Sequence, residues 1–395
     1  IHSMIILGLV EDNRTQEPKR KWYELTSAEH ILSPSVLVSP RRVGSNIDAC
    51  IRTAGGADRL RPHVKTHKSS KVIEMHLARG ITKFKCATLA EAEMVAAAGA
   101  EDILIAYQLS RPSADVLCAL VERFPATRFA SLIDNLSSLR VLEDACSRRG
   151  VSVSAYVDLD VGMHRTGIAP GPDADALYGA IHRSTSVGAV GLHLYDGQIH
   201  DSDPAARQKN AGVTRRLGFE MRDRLLASGV PVDELVVGGT PAFPCHAEAY
   251  EPGMTLSPGT YPYFDWGYAT GYPDLPFDMA AVVFGRVISV PAMGRFTVDV
   301  GSKAIAADPE QPRGLLLNIP EAVAGPQSEE HWVFTTSGKN TPAVGDAVYV
   351  WPRHICPTIE HYDEVLVCSE QGEIQECWPV TARGRKLHGD KTGNA

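Results

Sequence analysis

The chain of 395 residues has no apolar run near the ~20 residues that a membrane-spanning helix requires. It also has no long stripe of lysine and arginine, and its net charge is −8, which excludes a nucleic-acid binder held by phosphate contacts. CxxC pairs are missing as well. The eight cysteines, at positions 50, 86, 118, 146, 245, 356, 368 and 377, are scattered rather than spaced as a disulfide framework. They read as reduced thiols of a cytoplasmic protein, most of them core filler. The apolar stretch that starts at Met4 is too short for a signal-peptide core and runs straight into Glu11-Asp12. Ile1-His2-Ser3, ahead of Met4, are kept out of the fold argument.

What is present is a chain long enough to bury a large core in two or three domains. From residue 59 onward short apolar segments alternate with helical ones. The expected strands are 59–64, 81–86, 102–106, 128–133, 151–158, 188–194, 234–237 and 254–257, mostly with a helix between neighbours. Thr88 is placed to cap a helix that Gly99 ends, and Gly150 to end another. Eight such units in about 200 residues predict a (β/α)8 TIM-type barrel rather than an open doubly wound sheet. After Pro276 the pattern changes to short strands and turns, predicting a C-terminal all-β domain. The expected division is an N-terminal arm at 1–28, a barrel at 29–275 and a β domain at 276–395. A strand near residues 20–26 is expected to join the β domain.

The chemistry centres on Arg61-Pro-His-Val-Lys-Thr-His-Lys. If 59–65 is a strand, its period of two puts Arg61, His63 and Lys65 on one face. Cationic neighbours favour the neutral, nucleophilic amine of a lysine, the form that makes a Schiff base with an aldehyde cofactor. A basic surface loop is the alternative. Two further turns share one design: Val236-Val-Gly-Gly-Thr-Pro offers Gly239 and Thr240, and Ser257-Pro-Gly-Thr-Tyr-Pro offers Gly259, Thr260 and Tyr261. Glycine admits an anion close to backbone N–H groups and threonine adds a hydroxyl donor, so adjacent turns of this kind suit a phosphate. Lysine plus phosphate cup points to pyridoxal 5'-phosphate. Arg165, after the fifth strand, can either reach the pyridine ring or pair with Asp158 or Asp160. Late in the chain, His354 and Cys356 stand two apart. On an extended segment both would project to one side, a donor pair suited to zinc or another divalent metal, unless they are structural.

Together these stretches resemble the D-threonine aldolase and D-serine dehydratase family, from about Pro34 to Val380. The carriers are the Arg61–Lys68 motif, Thr88-Leu-Ala-Glu-Ala-Glu, Gly239-Thr-Pro, Pro258-Gly-Thr-Tyr and His354-Ile-Cys-Pro-Thr. The resemblance implies an alanine-racemase-like barrel and a C-terminal β domain, with Lys65 carrying pyridoxal phosphate. It implies that Thr240, Gly259, Thr260 and Tyr261 surround the phosphate, and that His354 and Cys356 hold a divalent metal (Zn, Mn or Mg) at the substrate's β-hydroxyl. Tyr195 and His200, in Tyr195-Asp-Gly-Gln-Ile-His, match site residues after the sixth strand; His193 and His63 are alternative bases. Val300-Gly-Ser-Lys and Ser328-Glu-Glu-His look most like the aldolases, whereas the cysteine at 356 looks like the dehydratases. The expected activity is cleavage of a small D-3-hydroxy amino acid to glycine and an aldehyde by a homodimer. Dehydration of D-serine or 3-hydroxy-D-aspartate to a 2-oxo acid and ammonia stays open, as does racemisation. A non-catalytic cofactor-binding protein would lack residues 277–380.

Overall fold

The computed structural model describes residues 21–387. Its strands are β1 (Ser35–Val38), β2 (Lys83–Cys86), β3 (Asp102–Ile105), β4 (Arg128–Ile133), β5 (Val153–Asp158), β6 (Val187–Leu194), β7 (Glu234–Val237) and β8 (Met254–Leu256), followed by β9 (Ala281–Ala292), β10 (Arg295–Val298), β11 (Gly314–Leu316), β12 (Val323–Gln327), β13 (Trp332–Thr335), β14 (Ala347–Pro352), β15 (Glu364–Cys368) and β16 (Ile374–Pro379). Strands β2 to β8 form one parallel ladder in chain order. The eighth stave is Leu60–His63, which closes the barrel through parallel bridges to Leu256 of β8 and Lys85 of β2. Arg61 N–H donates to Leu256 O, His63 N–H to Pro258 O, and Lys85 N–H to Pro62 O, all at 2.9 Å. Pro62 has no N–H to give, so the stave makes isolated bridges rather than a full ladder. Seven of the eight expected barrel strands are therefore present, and the segment expected as the eighth, 59–64, contributes bridges at Leu60 and His63 between two 3-10 turns rather than a strand.

The strands are buried on both sides, as parallel strands under helices must be, and read as apolar runs such as Ile103-Leu-Ile. Inside the barrel the side chains stack in layers. At the N-terminal end Arg61 is enclosed by Asp102 and Glu234. Above it lies an apolar layer including Leu104, Ala130, Leu132 and Tyr156. The cleft opens above that, where the strands end and the βα loops begin.

Two expectations change. Ser35–Val38, assigned by sequence to the barrel side of the chain, is a strand of the C-terminal sheet, antiparallel to β9 and parallel to β15. That sheet runs β12-β13-β10-β9-β1-β15-β16, with β14 pairing β9 and β11. The strand expected near 20–26 is not formed over residues 21–26, which are turns. Their contribution is packing: Trp22, Tyr23 and Leu25 are buried with Leu37, Phe284 and Tyr349, and Leu25 N–H donates to Tyr349 Oη at 3.0 Å. The arm expected at residues 1–20 lies outside the described residues. No helix among the described residues is long and apolar enough to cross a membrane.

Candidate active site

A cleft of about 530 Å³ lies at the C-terminal mouth of the barrel, under the β domain. Its walls bring together Lys65, Tyr195, His200, Gly239, Thr240, Gly259, Thr260, His354 and Cys356, which the sequence places as far as 291 positions apart (65 to 356). A deeper cavity of about 60 Å³ shares Lys65 and Tyr195 and adds Arg165.

Lys65 follows the closing stave in a one-turn 3-10 helix, Val64–Thr66, and not on the strand itself. His63 starts that turn, its Nδ1 accepting from Lys65 N–H at 3.3 Å. Burial, then Lys65 and Lys85, push the His63 imidazole well below its usual range, so it is a neutral ring in the cleft wall. Arg61 is on the same inward face as His63 but is tied to Asp102 and Glu234, so its charge is spent at the far end of the barrel. The expectation that Arg61 helps to crowd Lys65 fails for this reason; the nearby cation is Lys85.

Thr240 Oγ1 accepts from the N–H groups of Gly259 (3.0 Å) and Thr260 (3.1 Å), which locks the two turns into one cradle. Both glycines are needed there. A Cβ on Gly239 would stand 3.2 Å from the Tyr195 ring, and one on Gly259 would stand 3.0 Å from Cβ of His63. Both turns line the cleft, so an anion there would meet glycines without side chains beside the two threonines, in keeping with a phosphate cradle. Tyr261 departs from expectation: its side chain is fully buried and its hydroxyl meets His76 Nε2 at 2.5 Å, so only its backbone faces the turn. Tyr268, in the helix Trp266–Gly271, lines the cleft instead.

Arg165 is exposed and unpaired with the carboxylates suggested for it. Asp158 is occupied by His193, Thr166 and Gln108, and Asp160 by His164 and the Gly162 N–H. The guanidinium lies 5.1 Å from the Tyr195 ring centre, which leaves it free to face a ligand. His200 sits exposed on the loop after β6, at the mouth.

His354 is extended, as expected, but Cys356 falls in a short helix, Ile355–Ile359. They converge nevertheless. Burial disfavours the His354 imidazolium, but Cys356 and Asp308 outweigh it and raise the ring to about 9. Asp308 Oδ2 holds Nδ1 at 2.5 Å, which leaves Nε2 for another partner, the arrangement by which carboxylates orient metal-binding histidines. Cys356 Sγ is 3.1 Å from Thr66 Oγ1. Among the described residues no group of three or more His, Cys, Asp or Glu is poised for a metal. His354 and Cys356 are by chemistry two donors suited to a divalent metal, fewer than the four that a closed structural site uses. Two straps fix this segment to the barrel. Asp265 accepts from Tyr268 N–H and Ile355 N–H, and Lys68 bridges Glu91 (2.6 Å) and Glu360 (3.0 Å).

Sequence reasoning passes over Lys85, whose signal was a lysine within Lys83-Phe-Lys-Cys, a strand otherwise covered on all sides. Its Nζ is 3.5 Å from His193 Nε2, whose Nδ1 is 2.7 Å from Asp158 Oδ1. Burial raises Asp158, but hydrogen bonds from His193, Thr166 and Gln108 prevail and hold it below the usual carboxylate range. Burial, then Lys65, lowers Lys85 to about 7, against the pull of Asp196 and Asp158.

Comparisons with known proteins agree with this layout. Residues 38–265 match the model for the alanine racemase N-terminal domain, and residues 280–368 that for a putative serine dehydratase domain. A D-threonine aldolase from Arthrobacter sp. is 27% identical over 89% of this chain and 93% of its own length. A D-threo-3-hydroxyaspartate dehydratase from Delftia sp. (strain HT23) is also 27% identical, over 84% of this chain and 90% of its own. The crystal structure of a D-threonine aldolase from Filomicrobium marinum superposes with a TM-score of 0.83 at 27% identity, covering 89% of this chain and 96% of that one. The barrel, the β domain and the motifs that line the cleft between them thus place the chain in the D-threonine aldolase and D-serine dehydratase family of lyases.

Proposed function

We propose that the chain is a pyridoxal-phosphate- and divalent-metal-dependent D-3-hydroxy-amino-acid aldolase, releasing glycine and an aldehyde. The observation that supports this reading is the sharing of one cleft by an amine (Lys65), an imidazole (His200) and a metal-donor pair (His354, Cys356). When bound, pyridoxal phosphate supplies an electron sink for charge left at Cα, and the metal supplies a Lewis acid at the β-hydroxyl.

Gly239, Thr240, Gly259 and Thr260 would hold the phosphate, Lys65 the aldehyde carbon, and His354 with Cys356 the metal. Arg165, a permanent cation, keeps a neighbouring ring nitrogen unprotonated. His200 takes the proton of the β-hydroxyl and passes it to solvent at the mouth. Lys65, with its amine free, would deliver the proton to Cα. The β domain covers the cleft and limits water there. The working unit is a cytoplasmic homodimer acting on a small D-3-hydroxy amino acid.

One observation favours dehydration as a second reading. Cys356 offers a soft thiolate suited to zinc, and in that reaction Lys65 would take the Cα proton while the hydroxyl departs. Incubation with D-threonine and D-serine separates the two. Glycine plus aldehyde is the expected result; 2-oxo acid plus ammonia rejects the aldolase.

A further inference from the structure

The order of residues around the barrel mouth matches the order of substituents around a pyridoxal phosphate ring. The cradle of Gly239-Thr240 and Gly259-Thr260 follows β7 and β8. Lys65 follows the closing stave, Lys85 lies on β2, Ala106 and Leu132 lie at the ends of β3 and β4, and Arg165 follows β5. Around the pyridine, starting at the carbon that bears the phosphate arm, come the aldehyde carbon, the C3 oxygen, the C2 methyl and the ring nitrogen. With the phosphate in its cradle and the aldehyde carbon at Lys65, the methyl meets the two apolar side chains and the nitrogen meets Arg165. The strand left for the C3 oxygen is β2.

We propose that the Lys85 ammonium is the hydrogen-bond partner of the cofactor's C3 oxide, oriented for that role by His193 and Asp158; this rests on reading the cleft as a pyridoxal phosphate site.

Lys85 is almost wholly buried, yet among the described residues no carboxylate is within ion-pairing distance of its Nζ, in contrast to Lys68 with its two glutamates. A buried ammonium without a counter-charge is costly. Lys65 and Arg61 disfavour its charged form and Asp196 and Asp158 favour it, while the neutral His63 lines the same cavity and the Tyr195 ring centre lies 5.6 Å from its Nζ. Asp158 is ionised and accepts from His193 Nδ1, so Nε2 of that ring is an acceptor turned towards Lys85. One N–H of Lys85 is thereby directed to His193, and the remaining donors face the cavity that Lys85 shares with Lys65 and Arg165. An oxide there supplies the missing negative charge, and the ammonium in turn keeps the C3 oxygen deprotonated.

The test is equilibrium binding to cofactor-free protein, with no amino acid present, of pyridoxal phosphate and 3-deoxypyridoxal phosphate. Wild type should prefer the former by roughly ten- to a hundredfold, the worth of a charged hydrogen bond. Lys85→Met should lose most of that preference through weaker binding of pyridoxal phosphate alone. Its undiminished affinity for the deoxy compound shows that the variant is folded. In the loaded proteins, the absorption band of the deprotonated C3 oxygen should persist to lower pH in wild type than in Lys85→Met. Absence of any preference in wild type overturns the proposal whatever the variant does. A preference retained in Lys85→Met, with only KM for a D-3-hydroxy acid raised, assigns the ammonium to the substrate carboxylate and also overturns it. Failure of wild type to bind either compound overturns the cofactor reading itself, a result distinct from both.

Discussion

Cys356 Sγ of the β domain lies 3.1 Å from Oγ1 of Thr66, the residue next to Lys65 on the barrel. The candidate metal ligand and the candidate cofactor lysine therefore meet at the domain boundary, and neither domain forms the cleft alone. Asp265 and Lys68 hold that boundary by hydrogen bonds from both sides.

Separate donor sets predict separable functions. Chelation of divalent metal should abolish lyase turnover and leave the absorption of the bound cofactor intact, because Lys65 and the glycine–threonine cradle contain no metal donor. Fully demetallated enzyme that keeps its rate would make His354 and Cys356 structural.

His200→Ala should reduce aldol cleavage of a D-3-hydroxy acid by roughly 10²–10⁴-fold, the usual worth of a positioned general base. Exchange of the Cα proton with solvent, the role proposed for Lys65, should survive. Unimpaired glycine production by the variant would transfer the role to His63 or His193, which face the same cleft.

Arg61→Met should be destabilising, by about 3–5 kcal/mol, because it takes from buried Asp102 and Glu234 the one fully buried cation that joins them and leaves them with the more exposed Arg128 and Lys83 and the Tyr156 hydroxyl. In the native chain burial opposes ionisation of Asp102 and Glu234, but Arg61 outweighs it and holds both below the usual carboxylate range. Their contribution to stability is thus complete above the unfolded carboxylate values, about 4, and is lost as pH falls through the lower folded values. Without Arg61, burial is opposed by Arg128, Lys83 and the Tyr156 hydroxyl with less force, so both carboxyls titrate higher than in the wild type and have less stabilisation to lose. On acidification through the carboxylate range, about pH 4, the melting temperature of Arg61→Met should therefore fall less than that of the wild type. Equal pH profiles for the two proteins would refute the network's role.

The barrel was legible because most of its strands carry an apolar run, bounded by local signals such as the Thr88 cap and the Gly150 stop. Those cues are short-range. The destination of Ser35–Val38 was not legible, since a four-residue strand with three apolar side chains fits either sheet and the choice is made by pairing with β9 and β15 far along the chain. Arg61 misled for the same reason: its carboxylates are 41 and 173 positions away, and only barrel closure brings them to it. Lys65, the two glycine–threonine turns, His200 and the His354–Cys356 pair could be named because each is part of a contiguous motif. Lys85 belongs to no such motif. Its importance comes from facing inward beside His193, a property of the barrel's curvature rather than of the strand's own residues.

The most direct measurement is borohydride reduction of the cofactor-loaded protein, followed by mapping of the labelled peptide. Three lysines, Lys65, Lys68 and Lys85, line the same cleft. Lys68 is bound by two glutamates, and Lys85 faces His193 on the barrel floor. The label should appear on Lys65 alone. Label on Lys68 or Lys85 would contradict the account at its centre.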